Sequence, residues 1–500
     1  MGIVTRQGSK NILWLHLGLV LGYLNIGLLM PRYLEPEAFG LTRTIFVFGQ
    51  LVATFSQLGM GDAMIRFFPY FRDQARGAFL LFIFAVPLGV FLGIGSLALI
   101  FRHPLASAFA DSSPIVLTYW PFLVPMGGFL LLYELLNRYS KSIFESVKPL
   151  FWNEVVQRLA VMGVIALFAL QVIDFDVFFA LYVGAHAIPA LALWRILRKR
   201  GLRFSWSRRF FRRRYRKLLL HYGLFAQLNA LNASIANRID ILMIGAILDQ
   251  KQVALYALAA LIGQVVQLPG KSLQPILQPL IADLMKNKAM DRMQVIYKQS
   301  ALLFLILSAF VFTGIWSTVE SIIQLFKPEY IKGLYVIFFI GLSDVIKAGS
   351  GGFQPILPNS KYYRTTFYLN LFKAFLLVVT NFFLIRSMGI IGAAIGSLVS
   401  TIIVSQLKVY LIWRYFRLFP YGRRFVASLL WVMGLGWLAV QLPQIQPFYL
   451  DIAYHGIVLI LVYLAVVIGF QLSPELIDLI NRLIRRTGYQ FPNRDVEKMI

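Results

Sequence analysis

The stretch Trp194–Leu218, WRILRKRGLRFSWSRRFFRRRYRKL, carries Arg195, Arg198, Lys199, Arg200, Arg203, Arg208, Arg209, Arg212, Arg213, Arg214, Arg216 and Lys217 with no acid among them. A membrane-length apolar run lies on each side of it. Cytoplasmic loops of membrane proteins hold the Lys/Arg excess, so this segment reads as cytoplasmic and orients the whole chain. In a soluble protein the same run would suggest a nucleic-acid arm. Composition rules that out: with 59% hydrophobic residues and a mean hydropathy of +0.71, a soluble domain would have too little polar surface. The bilayer, not nucleic acid, is the expected environment.

Working outward, apolar stretches of roughly 17 to 25 residues, long enough as helices to cross about 30 Å of hydrocarbon, number about fourteen. The first set is 11–31, 43–64, 77–101, 116–136, 159–173 and 175–194. The second is 218–247, 253–273, 301–319, 334–352, 366–385 and 390–413, followed by 425–442 and 452–472. With the N-terminus inside, about 36 of the 48 Lys/Arg fall on the cytoplasmic side and about seven outside (Arg32, Arg43, Arg102, Lys251, Lys327, Lys332, Arg386), a bias that persists to the last loop. An even number of spans with both termini cytoplasmic follows. The first span is too long for a cleavable signal peptide and lacks a small-residue cleavage site.

Several chemistries are excluded at this level. Cysteine is absent, which removes disulfides, thiolate catalysis and thiolate-bound metals. His16, His103, His186, His221 and His455 show no metal-ligand spacing, and no P-loop sequence occurs. No catalytic or metal-binding residue and no resident cofactor is expected, and transport must be secondary, substrate-driven or partner-powered. The outer loops are too short for an external catalytic domain. Glu35 and Glu37, which could be mistaken for an acidic glycosyltransferase motif, flank Pro36 and read as a turn between spans.

A shift of 214 residues lays Leu34-Glu-Pro-Glu-Ala-Phe-Gly-Leu over Leu248-Asp-Gln-Lys-Gln-Val-Ala-Leu and Gly49-Gln-Leu-Val over Gly263-Gln-Val-Val. Both matches share one offset, at equivalent places of two six-helix halves. Halves of even span number have the same orientation, giving a parallel repeat with the substrate between lobes near mid-membrane. The expected organisation is an N-lobe at 1–194, a basic inter-lobe linker at 195–217, a C-lobe at 218–415, two further spans in 416–473 and a cytoplasmic amphipathic tail at 474–500.

At these positions the chain resembles a known family. Leu34-Glu-Pro-Glu-Ala-Phe-Gly-Leu followed by Leu58-Gly-Met-Gly-Asp-Ala-Met-Ile-Arg-Phe looks like the opening helices of bacterial polysaccharide-export (O-antigen type) flippases. Arg238-Ile-Asp-Ile-Leu-Met-Ile-Gly with Tyr256-Ala-Leu-Ala-Ala is similar to their seventh and eighth helices, and Gly389-Ile-Ile-Gly-Ala-Ala-Ile-Gly to the start of their twelfth. The resemblance covers about residues 8 to 415 and the family shows fourteen spans. It implies an all-α fold of the multidrug/oligosaccharidyl-lipid/polysaccharide exporter superfamily. It further implies a non-enzymatic flippase that moves an undecaprenyl-diphosphate-linked oligosaccharide from the cytoplasmic to the periplasmic leaflet of the bacterial inner membrane, for O-antigen or lipopolysaccharide-type surface glycan. Other polysaccharide assembly proteins are the partners such a role implies. A multidrug or other small-molecule antiporter of the same fold is the second reading, and a membrane glycosyltransferase or polymerase the third.

A lipid diphosphate needs fixed cations along its route, and ionisable residues inside spans are costly unless they face a cavity or a partner. In the second lobe these are Arg238, Asp240, Lys271, Asp344, Lys347, Lys373 and Lys408. Counting about 1.5 Å per residue, Lys271, Lys347 and Lys373 fall in the inner half of the membrane on three helices. The bland alternative is local neutralisation: Lys347 lies one helical turn from Asp344, while Lys373 and Lys408 can snorkel. Arg238 and Asp240, two apart, cannot simply neutralise each other. That leaves Asp240 either an inter-helix salt bridge or a coupling site for H+ or Na+. Asp62 and Arg66, at i, i+4, read as a surface pair or a gating element. Gln50 and Gln264, equivalent under the repeat, are candidates for sugar hydroxyls or for helix contacts.

Overall fold

The computed structural model describes residues 3–71, 75–101, 113–207, 213–236, 238–351 and 355–469, and among them every regular element is helical. The expected tail at 474–500, and Arg208, Arg209 and Arg212 of the basic segment, lie outside the described residues. In hydrocarbon a chain must satisfy its own backbone polar groups, and helices do so within one segment. The chain divides into two compact units, Met1–Leu258 and Ala259–Ile500.

The first unit contains α1 (Lys10–Tyr33), α2 (Pro36–Ser56), α3 (Met60–Phe71), α4 (Arg76–Ile100), α5 (Ile115–Ser142), α6 (Val147–Ala169) and α7 (Phe175–Lys199). It also takes in α8 (Arg213–Ala236), α9 (Ile239–Ile247) and the start of α10 (Gln250–Gly263). Its core is aliphatic and aromatic, with Met60, Phe79, Leu135, Tyr139, Leu193 and Leu197 buried together. The Leu58-Gly-Met-Gly motif has a definite mechanical role. Leu58 and Gly59 both take positive φ (45° and 67°) to turn the chain from α2 into α3. A Cβ on Gly59 would run into the carbonyl oxygen of Gly223, so only glycine meets both demands. Gln227 clamps the same crossing, accepting from the Gly59 N–H at 2.7 Å and donating to the Thr54 carbonyl at 2.5 Å.

The second unit contains α11 (Leu268–Lys286), α12 (Met290–Ser317), α13 (Leu334–Gly349), α14 (Tyr363–Phe416), α15 (Arg423–Val440) and α16 (Phe448–Gly469). Although continuous in its hydrogen bonding, α14 breaks at Gly389 (φ 61°, ψ −140°). Gly392 packs on the Leu384 carbonyl and Gly396 on Thr380 and Asn381. The rings of Tyr362 and Tyr415 stack at 3.9 Å. These contacts are symmetric about residue 388, so α14 is a helical hairpin of two antiparallel arms, and the glycines of Gly389-Ile-Ile-Gly-Ala-Ala-Ile-Gly bring the arms together. Elsewhere, α16 is tied through Asp451 to the short helix Val319–Ile323 that follows α12. This carboxylate accepts from Ser321 at 2.7 Å and from the Ile445 N–H at 2.9 Å.

Among the described residues, eleven helices are long and apolar enough to cross a membrane, twelve if the bent pair at 215–247 counts as one span. That is fewer than the fourteen expected, for two physical reasons. The expected spans 366–385 and 390–413 are the two arms of one hairpin, and Leu334–Gly349 has only 16 residues, short of the roughly 20 that a perpendicular crossing needs.

Candidate functional site

Charged side chains gather at two places, one in each unit. In the second unit, Asp344 on α13 is only 8% exposed, and Gln267, in the 3-10 turn Gln264–Gln267 that leads into α11, donates to its Oδ2 at 3.1 Å. Lys347, Lys271 and Lys373 lie within electrostatic range of that carboxylate, from α13, α11 and the first arm of α14. Three of the predicted cations therefore converge on one acid. Lys408, on the second arm, is within range of Lys347 and reaches the Gly351 carbonyl at 3.5 Å. The arrangement fits chemistry that needs several cations in one place with partial neutralisation: lysine heads are mobile point charges suited to a moving anion. Gln264 is exposed at the start of the same 3-10 turn.

In the first unit the sequence-level expectations are rearranged. Arg238 stands just before the first residue of α9, at the break where α8 and α9 meet at 51°, and its guanidinium lies 5.9 Å from the Phe46 ring centre. Arg43 on α2 lies 5.5 Å from the same ring. The two arginines are within electrostatic range of each other, and the His186 ring packs on Phe46 at 5.5 Å. Asp240, two residues on, accepts instead from the Tyr256 hydroxyl at 2.7 Å. Asp62 bonds Arg138 at 2.7 Å rather than Arg66, whose guanidinium sits 4.6 Å over the Tyr222 ring. The i, i+4 spacing was met by a better partner: Arg138 comes from α5, which packs closely on α3 and also brings Glu134 within 3.9 Å of the same guanidinium. Gln50 is half-buried on α2, with its Oε1 lacking a hydrogen-bond partner.

Three residues of these sites escaped the sequence reading. Arg43 was placed in an outer loop because the second span was started there, whereas α2 begins seven residues earlier at Pro36. Proline at the first helical position was the available signal. Gln267 stands four residues before Lys271, on the same helical face, and polar spacing of this kind could have found it. Gln250 accepts from Thr44 at 2.7 Å, donates to Ser113 at 3.1 Å and offers its carbonyl to the close approach of Gly40. Nothing in the local sequence announces that hub.

Known proteins place this geometry. In fold, the chain is similar to the lipid II flippase MurJ in an inward closed conformation, with a TM-score of 0.72 at 12% identity over 94% of this chain and 100% of that one. It is also similar to an inward-facing MATE-family multidrug resistance transporter of the MOP superfamily (TM-score 0.58, 13% identity, 86% and 99% covered). A third likeness is to the Vibrio cholerae MATE transporter VcmN in its bent form (TM-score 0.50, 14% identity, 83% and 98% covered). No curated protein matches in sequence. The family model described as "Polysaccharide biosynthesis protein" matches residues 29–327, more than half of the chain, and includes Arg43, Arg238 and Lys271 but ends before Asp344, Lys347 and Lys373. The chain is a multi-pass membrane protein that belongs to the polysaccharide biosynthesis protein family.

Proposed function

We propose that the protein is a flippase for an undecaprenyl-diphosphate-linked oligosaccharide, carrying it from the cytoplasmic to the periplasmic leaflet of a bacterial inner membrane for surface glycan such as O-antigen. No covalent bond is made or broken. The observation that carries the reading is the set Lys271, Lys347 and Lys373 around Asp344 in a chain of a polysaccharide biosynthesis family. A diphosphate leaving water needs cations already in place, because the hydration it gives up costs more than any single contact returns. Asp344 holds the lysines in position while the site is empty and leaves it net positive. Arg238, Gln50 and Gln264 belong to the same route, with the glutamines facing sugar hydroxyls. Movement is by alternating access of two six-helix lobes joined by the basic linker 195–217, among about fourteen spans. Both termini are cytoplasmic, and Asp240, Asp344, Asp62 and Arg66 are the candidates for coupling to H+ or Na+ or for gating.

The second reading, a multidrug antiporter, draws on the MATE-like fold. A cationic drug would be expected to need an acid-lined cavity, and the second-unit cluster is net basic.

The test is a deletion strain complemented with Lys271→Gln and Lys347→Gln variants. Reduced surface glycan, lipid-linked oligosaccharide held in the inner leaflet and normal protein levels are expected. Arg variants should retain more function than Gln. Rescue of Lys347→Gln by Asp344→Asn would mean that the lysine only neutralises the acid, and both Gln variants exporting at the parental rate would sink the mechanism. Orientation is tested with cysteines at Ser207, Asn287 and Arg494, which should be shielded from an impermeant thiol reagent in intact cells.

A further inference from the structure

Arg43 and Arg238, both half-buried, differ from the ion-paired arginines of the first unit. Arg138 has Asp62, Arg158 has Glu154 at 2.5 Å, and Arg200 has Glu145. Among the described residues no carboxylate lies within salt-bridge distance of Arg43 or Arg238. The Nε of Arg43 is fully buried without a hydrogen-bond partner. Both guanidiniums instead lie over one ring, that of Phe46. Its face attracts a cation weakly and gives the Arg43 Nε no acceptor. The acid in the first turn of α9, Asp240, is engaged by Tyr256. No side chain caps the start of α9, where Arg238 stands.

A half-buried, unneutralised pair of like charges is unfavourable in a membrane domain and persists when something else completes it. Counted along α2 from Pro36, Arg43 is about 10 Å in from the helix end, and Arg238 is about 13 Å from the end of α9 at Ile247. The contacts of Gln250 with Gly40 and Thr44 show that those two ends belong to the same side of the unit. The pair thus sits at one level, at a break in a helix whose first N–H groups add a partial positive charge. Two planar forks with ten N–H donors between them match a dianion with several equatorial oxygens, which is the geometry of a phosphate or diphosphate ester.

We infer that Arg43 and Arg238 form an anion site for a phosphate or diphosphate group, separate from the lysine cluster of the second unit. A free anion and a lipid head group present the same chemistry. That the group is lipid-borne rests on the flippase reading, whereas the site itself rests on the arginine geometry. By the positive-inside bias these helix ends face outward, so a lipid-borne group would be held there on the periplasmic side of the membrane.

The experiment uses the full-length protein in detergent and follows thermal unfolding while inorganic pyrophosphate is added against potassium chloride of matched ionic strength. Pyrophosphate should raise the midpoint of the parent. In Arg43→Gln and in Arg238→Gln its apparent affinity should fall at least about tenfold, as expected for loss of a two-pronged charged donor. Arg386→Gln should respond as the parent does. If a Gln variant does not fold, Arg43→Lys and Arg238→Lys retain the charge without the fork and should bind more weakly than the parent. Nanodiscs doped with a polyprenyl diphosphate then identify the source. Competition with pyrophosphate assigns the site to a lipid head group, and its absence assigns it to a free anion. No effect of pyrophosphate beyond matched salt, or undiminished binding by both arginine variants, overturns the site. Pyrophosphate binding without glycan export would remove the flippase reading alone, and export without pyrophosphate binding would remove only this inference.

Discussion

The two charge clusters solve opposite problems. In the second unit, Asp344 sits among Lys271, Lys347 and Lys373 with Gln267 bonded to it, so the lysines are partly neutralised and the cluster is stable when empty. In the first unit, Arg43 and Arg238 face one aromatic ring with no carboxylate on either. A cluster with its own counter-ion is built to hold its shape, and one without is built to be completed. The contrast follows from residue chemistry: lysine heads on flexible stems tolerate a shared acid, whereas an aromatic face offers a guanidinium no hydrogen-bond acceptor.

The largest expected effect lies in the scaffold under the arginine pair. Gly59→Val places a β-branched residue at φ 67° and against the Gly223 carbonyl, and should lower stability by about 3 kcal/mol or more. Gly89→Ala, where nothing lies within 4 Å of the added Cβ, should leave the unfolding midpoint unchanged. Equal behaviour of the two variants would show that the α2–α3 turn does not hold α8 in place.

Next comes the acid of the lysine cluster. Asp344→Asn removes the carboxylate that the lysines share and should cost about 2 to 3 kcal/mol, read as a fall in the thermal midpoint in low salt that is partly restored in high salt. Gln267→Leu removes one bond to that carboxylate and should cost about 1 to 2 kcal/mol. If Gln267→Leu proves the more harmful, the cluster is held by packing and not by its acid.

The smallest effect should also have the opposite sign. Arg43→Gln deletes a cation that has no partner, so without added anion the protein should be as stable as the parent or slightly more so, by up to about 1 kcal/mol. A midpoint drop as large as that of Asp344→Asn would erase the distinction between the two clusters.

Much of this was legible in the sequence, and the exceptions have a common cause. Helices were announced by apolar length, and the tight places by glycine: Gly59 at a turn, and Gly389, Gly392 and Gly396 in the α14 hairpin. Lys271, Lys347, Lys373 and Asp344 were identifiable because each is a lone charge in an apolar run, and their association follows from helix order. The sequence misled where partners are remote. Asp62 and Arg66 have ideal local spacing, yet Asp62 bonds Arg138 from another helix. Arg43 was misplaced by a boundary error of two helical turns, which turned a membrane residue into a loop residue. Periodicity reports which face of a helix is polar and is silent on what a helix distant in sequence presents to it.

In the proposed mechanism, the lysine cluster is what lets this chain move a lipid diphosphate head group across a bilayer. The direct measurement is leaflet transfer in proteoliposomes that hold a fluorescent undecaprenyl-diphosphate oligosaccharide, scored by access of an impermeant quencher. The parent should transfer the lipid well above protein-free vesicles, and Lys271→Gln combined with Lys347→Gln should be at least about tenfold slower at equal protein incorporation, the loss expected for charge-assisted contacts to phosphate. Transfer by the double variant at the parental rate, or by the parent at the protein-free rate, would contradict it.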